Sequence, residues 1–233
     1  MKTAHELPWN DEHGWNIFRE TQKYVKESFD FSNDGIGMNK KNLDELLYRH
    51  WYVSYCTRHA IRFAQNDEYN FVECGTANGV SAYFTLKEII SSLKKPKFSM
   101  HLYDSWDAMR EKELLETEMS HVGNYSELDI NTTKKNLKEF EDKLIYHVGH
   151  IPESLINDPP EKIVYLHIDL NSAKPTLAAL EFFFPRLVKG GVMLFDDYGQ
   201  EEYKETKRIL DKFFSDKSGL LLKLPTSQAI YFR

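Results

Sequence analysis

The stretch FVECGTANG, residues 71–79, joins a short apolar run to a helical pattern that begins at Val80. Gly75 and Gly79 let the backbone bend sharply there, and they let it approach a ligand with no Cβ in the way. A strand, a glycine turn and a helix in this order are typical of the ligand-binding turn of a Rossmann-like α/β fold. The stretch therefore predicts both the fold class and the place of a small-molecule site.

The spacing within this turn indicates which kind of ligand it binds. A dinucleotide turn reads G-x-G-x-x-G and places a pyrophosphate at the helix N-terminus. Here Ala77 stands at the middle glycine, and Glu73 precedes Gly75 by two positions. A carboxylate repels phosphate but pairs with an ammonium group, so the turn favours a ligand with a cationic amino-acid end. An ordinary strand-to-helix turn that contains two glycines is the alternative.

Two further strand ends carry residues suited to a nucleoside. Asp104 follows the second predicted strand, and a carboxylate at that tip can accept both hydroxyls of a ribose. The third predicted strand is followed by Gly149, His150 and Ile151, where the glycine allows close approach and the other two flank an adenine. A helix N-cap at Asp104 and a plain strand-end turn at Gly149 are the alternatives.

Two later strands end in acids, namely Asp169 and the pair Asp196–Asp197. Neighbouring parallel strands present their carboxyl ends on one edge of a sheet, where ligands bind. Three carboxylates gathered there repel one another unless a cation lies among them, and oxygen ligands favour Mg²⁺. The sequence therefore predicts a magnesium site. The alternative is that Asp196 caps a helix and Asp197 is solvated.

Short apolar runs alternate with helical patterns along most of the chain, which predicts a Rossmann-like, doubly wound, mainly parallel seven-stranded sheet with an antiparallel C-terminal hairpin. We expect an N-terminal helical extension at residues 1–64, including a helix over 43–64, and the main domain at residues 65–233. The predicted strands are Asn70–Cys74, Lys97–Tyr103, Leu144–Val148, Ile163–Asp169, Val192–Phe195, Leu220–Leu224 and Ala229–Phe232, and the following helices are Val80–Leu93, Asn131–Asp142 and Thr176–Phe184.

Bulk composition narrows the possible functions. The chain has 233 residues, 41% of them hydrophobic and 28% charged, with a formal net charge of −6. That charge argues against a nucleic-acid partner or an anionic membrane. Cys56 and Cys74 are the only cysteines, too few for a disulfide framework. The polar start is not a secretory signal and the apolar runs are short, so we expect a cytoplasmic protein without membrane insertion.

Several segments together resemble the macrocin O-methyltransferase family, the TylF/MycF-like methyltransferases. The resemblance is densest in HIDLNSAKPTLAALEFFFPRLVKGGVMLFDDYG, residues 167–199, and extends through FVECGTANGVSA, LYDSW, residues 132–137 and the closing LPTSQ. It covers about residues 65–233. The family commonly reads D-x-D-x-Y after the fourth strand, whereas Asn171 and Ala173 replace the second acid and the tyrosine here. Asn171 still offers an oxygen, with less negative charge near a metal.

The resemblance implies transfer of a methyl group from S-adenosylmethionine to a hydroxyl, often on a deoxysugar, with Mg²⁺ bound by Asp169, Asp196 and Asp197. We predict a small-molecule or glycan acceptor, such as a sugar or glycoside. The predicted cofactor contacts are Glu73, Gly75, Thr76, Asn78, Gly79, Ser81, Asp104, Ser105, Gly149, His150, Ile151 and Asp169.

The candidate bases that accept the hydroxyl proton are Asp169, His150 and His167. A packed or solvated histidine is the alternative for the latter two. The N-terminal aromatic residues Trp9, Trp15 and Phe18 form either a lid over the acceptor or an arm that packs on the surface or in a homodimer. Rival functions are a nicotinamide-dependent oxidoreductase and a metal-independent or catalytically silent methyltransferase fold.

Overall fold

The computed structural model describes residues 12–32, 39–66, 68–93 and 97–233. Seven strands form one sheet in the order β3-β2-β1-β4-β5-β7-β6. They are β1 (Tyr69–Cys74), β2 (Phe98–Asp104), β3 (Leu144–Val148), β4 (Ile163–Ile168), β5 (Leu187–Phe195), β6 (Leu220–Lys223) and β7 (Ala229–Phe232). The first five strands pair in parallel, whereas β7 pairs antiparallel with both β5 and β6. The predicted Rossmann-like sheet and its C-terminal hairpin are confirmed.

Helices cover both faces of this sheet. They are α1 (Glu12–Ser28), α2 (Leu47–Phe63), α3 (Val80–Ser92), α4 (Ile130–Asn136), α5 (Ala173–Phe183) and α6 (Lys204–Phe214). Phe18, Trp51 and Phe84 join α1, α2 and α3 in one core cluster, and Phe183 and Leu210 join α5 and α6 in the other. Because β1 and β4 are buried on both faces, they read as nearly continuous apolar runs, as parallel strands do.

Several backbone hydrogen bonds continue beyond the carboxyl ends of the parallel strands. Gly75 donates to the carbonyl of Tyr103 at 2.8 Å, and Asp169 donates to the carbonyl of Cys74 at 2.8 Å. Asp196 donates in the same way to the carbonyl of Ile168 at 2.9 Å. These bonds align the ends of neighbouring strands, so the residues that follow them project from one edge of the sheet.

The helix predicted over Asn131–Asp142 is wrong in its length. The α-helix ends at Asn136, and Lys138–Lys143 forms a 3-10 helix instead. Asn136 is buried, and its side-chain amide donates to the carbonyls of Asp30 and Asn78. These contacts tie the end of α4 to distant segments of the chain. Helix α6 was not predicted. Within the described residues, no helix is both long and apolar enough to cross a bilayer.

Candidate active site

A cavity of about 410 Å³ lies at the carboxyl edge of the parallel strands, a size typical of small-molecule sites. It joins the first glycine turn on one side to the acids after β4 and β5 on the other. Most of the predicted site residues line it: Gly75, Thr76, Asn78, Ser81, Asp104, Ser105, Gly149, His150, Ile151, His167, Asp169, Asp196 and Asp197. Glu73 and Gly79 lie outside this lining, and Gly79 caps α3 with φ +85°.

Asp104 fixes the shape of the first turn. Its Oδ2 accepts hydrogen bonds from the backbone N–H groups of Thr76 and Ala77, both at 2.8 Å, and its Oδ1 accepts one from Trp106 at 2.7 Å. Burial raises the pKa of this carboxyl, and the three N–H donors oppose that shift. The carboxylate thus holds the turn against β2 and borders the cavity as well.

Glu73 and His167 form a buried pair behind the turn. Oε2 of Glu73 lies 3.3 Å from Nδ1 of His167, and both side chains are almost completely inaccessible to solvent. Burial raises the pKa of Glu73, and the neighbouring His167 opposes that shift. Nε2 of His167 has no hydrogen-bond partner among the described residues and lies 3.7 Å from Oδ1 of Asp196. The histidine therefore connects the first turn with the acidic rim.

Asp169, Asp196 and Asp197 form the acidic rim, and each carboxylate has different surroundings. Oδ2 of Asp197 accepts from the backbone N–H of Asn171 at 2.8 Å, and Oδ1 accepts from the amide of Asn171 at 3.1 Å. Burial, and then the negative charge of Asp169, raises the pKa of Asp197 well above its usual range. No described residue donates a hydrogen bond to the side chain of Asp169.

Asp196 is the rim acid with a cationic partner. Arg49, from α2, donates to its Oδ2 in a short ion pair and to its backbone carbonyl at 3.1 Å. Gln228 directly precedes β7 and is fully buried, and its side-chain amide donates to Oδ1 of Asp196 at 2.6 Å. Both oxygens of this carboxylate therefore already accept from protein donors.

A group of potential ligands for a divalent cation lies at the rim, and it contains His167 together with two of the three predicted carboxylates. Three residues each offer one potential ligand atom, and these atoms all lie within 4.8 Å of one another: His167, Asp169 and Asp196. Nε2 of His167 is buried and has no hydrogen-bond partner among the described residues. The negative charge of Asp169 raises the pKa of Asp197, and the nearby Arg49 opposes that shift only in part. The carboxylates suit a hard six-coordinate ion such as Mg²⁺, whereas an imidazole nitrogen is a more usual ligand of a softer transition metal.

His150 also lines the cavity, but its side chain contacts other acids than those of the rim. Its Nδ1 is 2.7 Å from Oε2 of Glu113, and its Nε2 is 3.7 Å from Oδ2 of Asp107. Both partners belong to the segment after β2. The structure thus brings His150 to the cavity but anchors it to acids other than the rim.

Sequence reasoning missed two groups of cavity residues. Tyr125 has a positive φ of 67°, which is uncommon for a residue with a Cβ, and it faces Tyr203 together with the acids of the rim. Burial raises the pKa of Tyr203 to about 12. Arg49 and His50 reach the cavity from α2. Gln228, which lies outside the cavity lining but donates to Asp196, belongs to the LPTSQ motif that the sequence singled out.

The aromatic residues of the N-terminal extension pack on the body of the protein. Phe18 is 1% exposed, and its ring lies 5.3 Å from both Trp51 and Phe84. Trp15 stacks on Phe18 at 5.7 Å. Trp9 lies outside the described residues. Helix α1 therefore adds to the core beneath α2 and α3, and its predicted role as a lid stays a prediction.

The sheet ends in the order β5-β7-β6, and the cavity lies beside the first glycine turn, which is the arrangement of a Rossmann-like methyltransferase fold. A sequence profile described as a methyltransferase domain matches residues 72–198, which is more than half of the chain. The chain belongs to this methyltransferase domain family. The matched region contains the turn, Asp104 and all three rim acids.

Solved structures of methyltransferases share the fold. The O-methyltransferase NovP superposes with a TM-score of 0.76 at 12% identity, over 94% of this chain and 99% of its own. The calicheamicin methyltransferase CalS11 has a TM-score of 0.66 at 15% identity, over 98% and 94%. PaMTH1 from Podospora anserina, with S-adenosylhomocysteine bound, has 0.57 at 12%, over 99% of each chain. These identities show a shared fold alone, and among curated protein sequences none matches the chain.

Proposed function

We propose that the protein is an S-adenosylmethionine-dependent O-methyltransferase. The observation that carries this proposal is the single cavity that joins the first turn and Asp104 to the acids Asp169, Asp196 and Asp197. Such a cavity suits two ligands side by side, a methyl donor at the turn and an acceptor at the rim. Methyl transfer is a displacement at a sulfonium carbon, so it needs in-line approach and a site that excludes water.

The cofactor half of the cavity has the groups that an adenosyl cofactor needs. Thr76, Asn78 and Ser81 offer polar atoms at the first turn, and Asp104 lies at the tip of β2. Ile151 is 5% exposed and offers an apolar surface for a base. Glu73 lies behind the turn, so we propose that it acts on the amino-acid end of the cofactor through His167 and Ser81.

The acceptor that fits best is a hydroxyl of a sugar or a glycoside. The acceptor half is lined by carboxylates, by Asn171 and Gln200, and by the phenols of Tyr125 and Tyr203. Polar groups interleaved with aromatic rings suit a polyhydroxylated ring with apolar C–H faces. One solved neighbour, CalS11, is described as a TDP-rhamnose 3'-O-methyltransferase, which supports the same class of acceptor.

We propose magnesium assistance, with Asp169, Asp196 and Asp197 as the carboxylates that would hold the cation and His167 beside them. When bound, the ion would supply positive charge that orients a substrate hydroxyl and lowers its pKa. Asp169 is the proposed proton acceptor, because its carboxylate borders the cavity and no described residue donates to it. His167 is the next candidate, whereas His150 is anchored to Glu113.

Equilibrium binding separates this proposal from its rival, a nicotinamide-dependent oxidoreductase. We expect S-adenosylhomocysteine to bind with micromolar affinity and NAD to show no binding in calorimetry at the same concentrations. Ala77 in place of the middle glycine supports that expectation. The opposite pattern would overturn the cofactor assignment. Transfer of a labelled methyl group to a panel of nucleotide sugars and glycosides then tests the acceptor class.

The metal assignment has a separate test. We expect methyl transfer to fall by at least about a hundredfold in a variant that carries both Asp196→Ala and Asp197→Ala, and to fall similarly in the unmodified protein after chelation. Full activity of the double variant in chelator would show that these acids are structural.

We also propose that residues 65–233 form the catalytic domain and that the N-terminal extension completes it. We propose in addition that the protein is a homodimer, and light scattering would test this oligomeric state.

A further inference from the structure

The guanidinium of Arg49 is held at the acidic rim by several contacts. Nη2 forms a short ion pair with Oδ2 of Asp196 and donates to the backbone carbonyl of Asp196 at 3.1 Å. Nη1 donates to the carbonyl of Thr226 at 3.3 Å. These contacts orient the charged group toward the rim rather than toward solvent.

This ion pair is largely shielded from water. The side chain of Arg49 is 16% exposed and that of Asp196 is 12% exposed. Charges in such surroundings interact much more strongly than exposed pairs, because little solvent screens them. The other rim acids lack such a partner: Asp197 accepts from the neutral amide of Asn171, and Asp169 has no described donor.

We infer that Arg49 competes with the divalent cation: by pairing with Asp196 it weakens cation binding at the rim. The inference rests on the proposed cation site. A cation bound through Asp196 needs a carboxylate oxygen at about 2.1 Å. Here Arg49 holds Oδ2 and Gln228 holds Oδ1. The ion must therefore share a carboxylate oxygen with one of these donors or displace it, and it must also accept the repulsion of a neighbouring positive charge.

The competition gives the N-terminal extension a role in the site. Arg49 lies on α2, 147 positions before Asp196 in the chain. The position of α2 therefore sets how much positive charge the rim already contains. The opposite possibility is that Arg49 helps a cation to bind by orienting Asp196 while the cation uses Oδ1. The two possibilities predict opposite signs for the effect of removing the arginine.

The test measures Mn²⁺ binding to the purified full-length chain by the electron paramagnetic resonance signal of the free ion, without substrate. We expect Arg49→Gln to bind Mn²⁺ about tenfold more tightly than the unmodified protein, because one nearby positive charge is removed. Arg49→Lys keeps the charge and should bind within about threefold of the unmodified protein. Arg62→Gln removes an exposed arginine from the same helix and should change nothing.

A second variant locates the effect at Asp196. In an Asp196→Asn background the gain from Arg49→Gln should become clearly smaller, because competition for the shared carboxylate is gone and only the charge repulsion remains. Equal or weaker Mn²⁺ binding by Arg49→Gln would overturn the inference, provided that its circular dichroism matches that of Arg49→Lys. If neither the unmodified protein nor Arg49→Gln binds Mn²⁺, the cation site fails and the inference fails with it. The binding of S-adenosylhomocysteine tests the cofactor proposal independently of both outcomes.

Discussion

A β-carbon at Gly75 would lie 1.8 Å from the backbone carbonyl oxygen of Asp169. The glycine also has a φ of +90°, a conformation that residues with a Cβ rarely adopt. The first turn and the end of β4 therefore pack backbone against backbone in the lining of the cavity. The crowding comes from the protein itself, so this glycine is needed for the site to form even before a ligand arrives.

We expect Gly75→Ala to destabilise the protein by about 3 kcal/mol or more, because the new methyl group would force the turn away from Asp169. The displaced turn should also lose affinity for S-adenosylhomocysteine. Urea denaturation measures the first effect and calorimetry the second.

Gly123→Ala is the matched control for backbone strain. Gly123 has a similar φ of +86°, but a β-carbon there would meet no atom within 4 Å. Its cost should be about 1 kcal/mol, the price of the left-handed conformation alone. Equal losses in both variants would contradict the packing explanation.

Asp104→Asn tests the carboxylate that holds the first turn. An asparagine can offer one acceptor oxygen, but its NH₂ group would face at least one of the three N–H donors of Thr76, Ala77 and Trp106. We expect a loss of about 1–3 kcal/mol in stability and at least a tenfold weaker affinity for S-adenosylhomocysteine. Asp142→Asn, at an exposed acid, should alter neither quantity. Unchanged affinity in Asp104→Asn would argue against a role for the carboxylate in cofactor binding.

Glu118 links the segment after β2 to the start of α5. It is 2% exposed; Oε1 accepts from the backbone N–H of Ala173 at 2.9 Å, and Oε2 accepts from that of Leu115 at 2.9 Å. We expect Glu118→Gln to cost about 1–3 kcal/mol, because its amide would face one of these donors and the favourable charge at the helix N-terminus is lost. Thermal denaturation measures the loss. Glu116→Gln, at an exposed position two residues earlier, should cost less than about 0.5 kcal/mol.

Much of the fold was predictable because its signals are local. Parallel strands buried on both faces produce apolar runs, and the bounds of β3 and β7 were predicted to the residue. The turn at Gly75 and the acids after β4 and β5 also carry their information within a few residues. The antiparallel hairpin followed from two short apolar runs joined by a polar turn.

The rest of the site depends on contacts between distant segments. The pairing of Arg49 with Asp196 is set by how α2 packs on the sheet, and no pattern within α2 distinguishes this arginine from Arg58 or Arg62. The place of Tyr125 in the cavity could not be predicted either, because its segment contains short 3-10 turns rather than a periodic helix. Spacing identified Glu73 as a ligand-facing acid, but the structure turns its side chain behind the turn toward His167.

His101 and His147 form a buried pair on neighbouring strands, with Nδ1 of the first 2.9 Å from Nε2 of the second. The ring of His147 also stacks on Tyr103 at 4.0 Å. Burial, and then the proximity of His147, lowers the pKa of His101 to about 4, and burial lowers the pKa of His147. The folded protein therefore resists protonation of this pair at pH values where an exposed histidine is already charged.

This pair should make stability fall in mild acid. The folded pKa values lie below the unfolded value of about 6.5, so the stabilisation is complete above that pH and is lost as the pH falls toward about 4. Each proton that only the unfolded state binds lowers stability by about 1.4 kcal/mol per pH unit. We expect His101→Gln to make the free energy of unfolding depend less steeply on pH between 6.5 and 4.5. The decrease in slope should correspond to the uptake of about one proton fewer on unfolding. The slope should not vanish, because burial also lowers the pKa of His50 to about 3.

Urea denaturation across this pH range measures the slope. The free energy of unfolding at pH 8, where these histidines are neutral in both states, isolates the loss of packing and hydrogen bonding. An unchanged slope would show that the pair does not control the acid sensitivity.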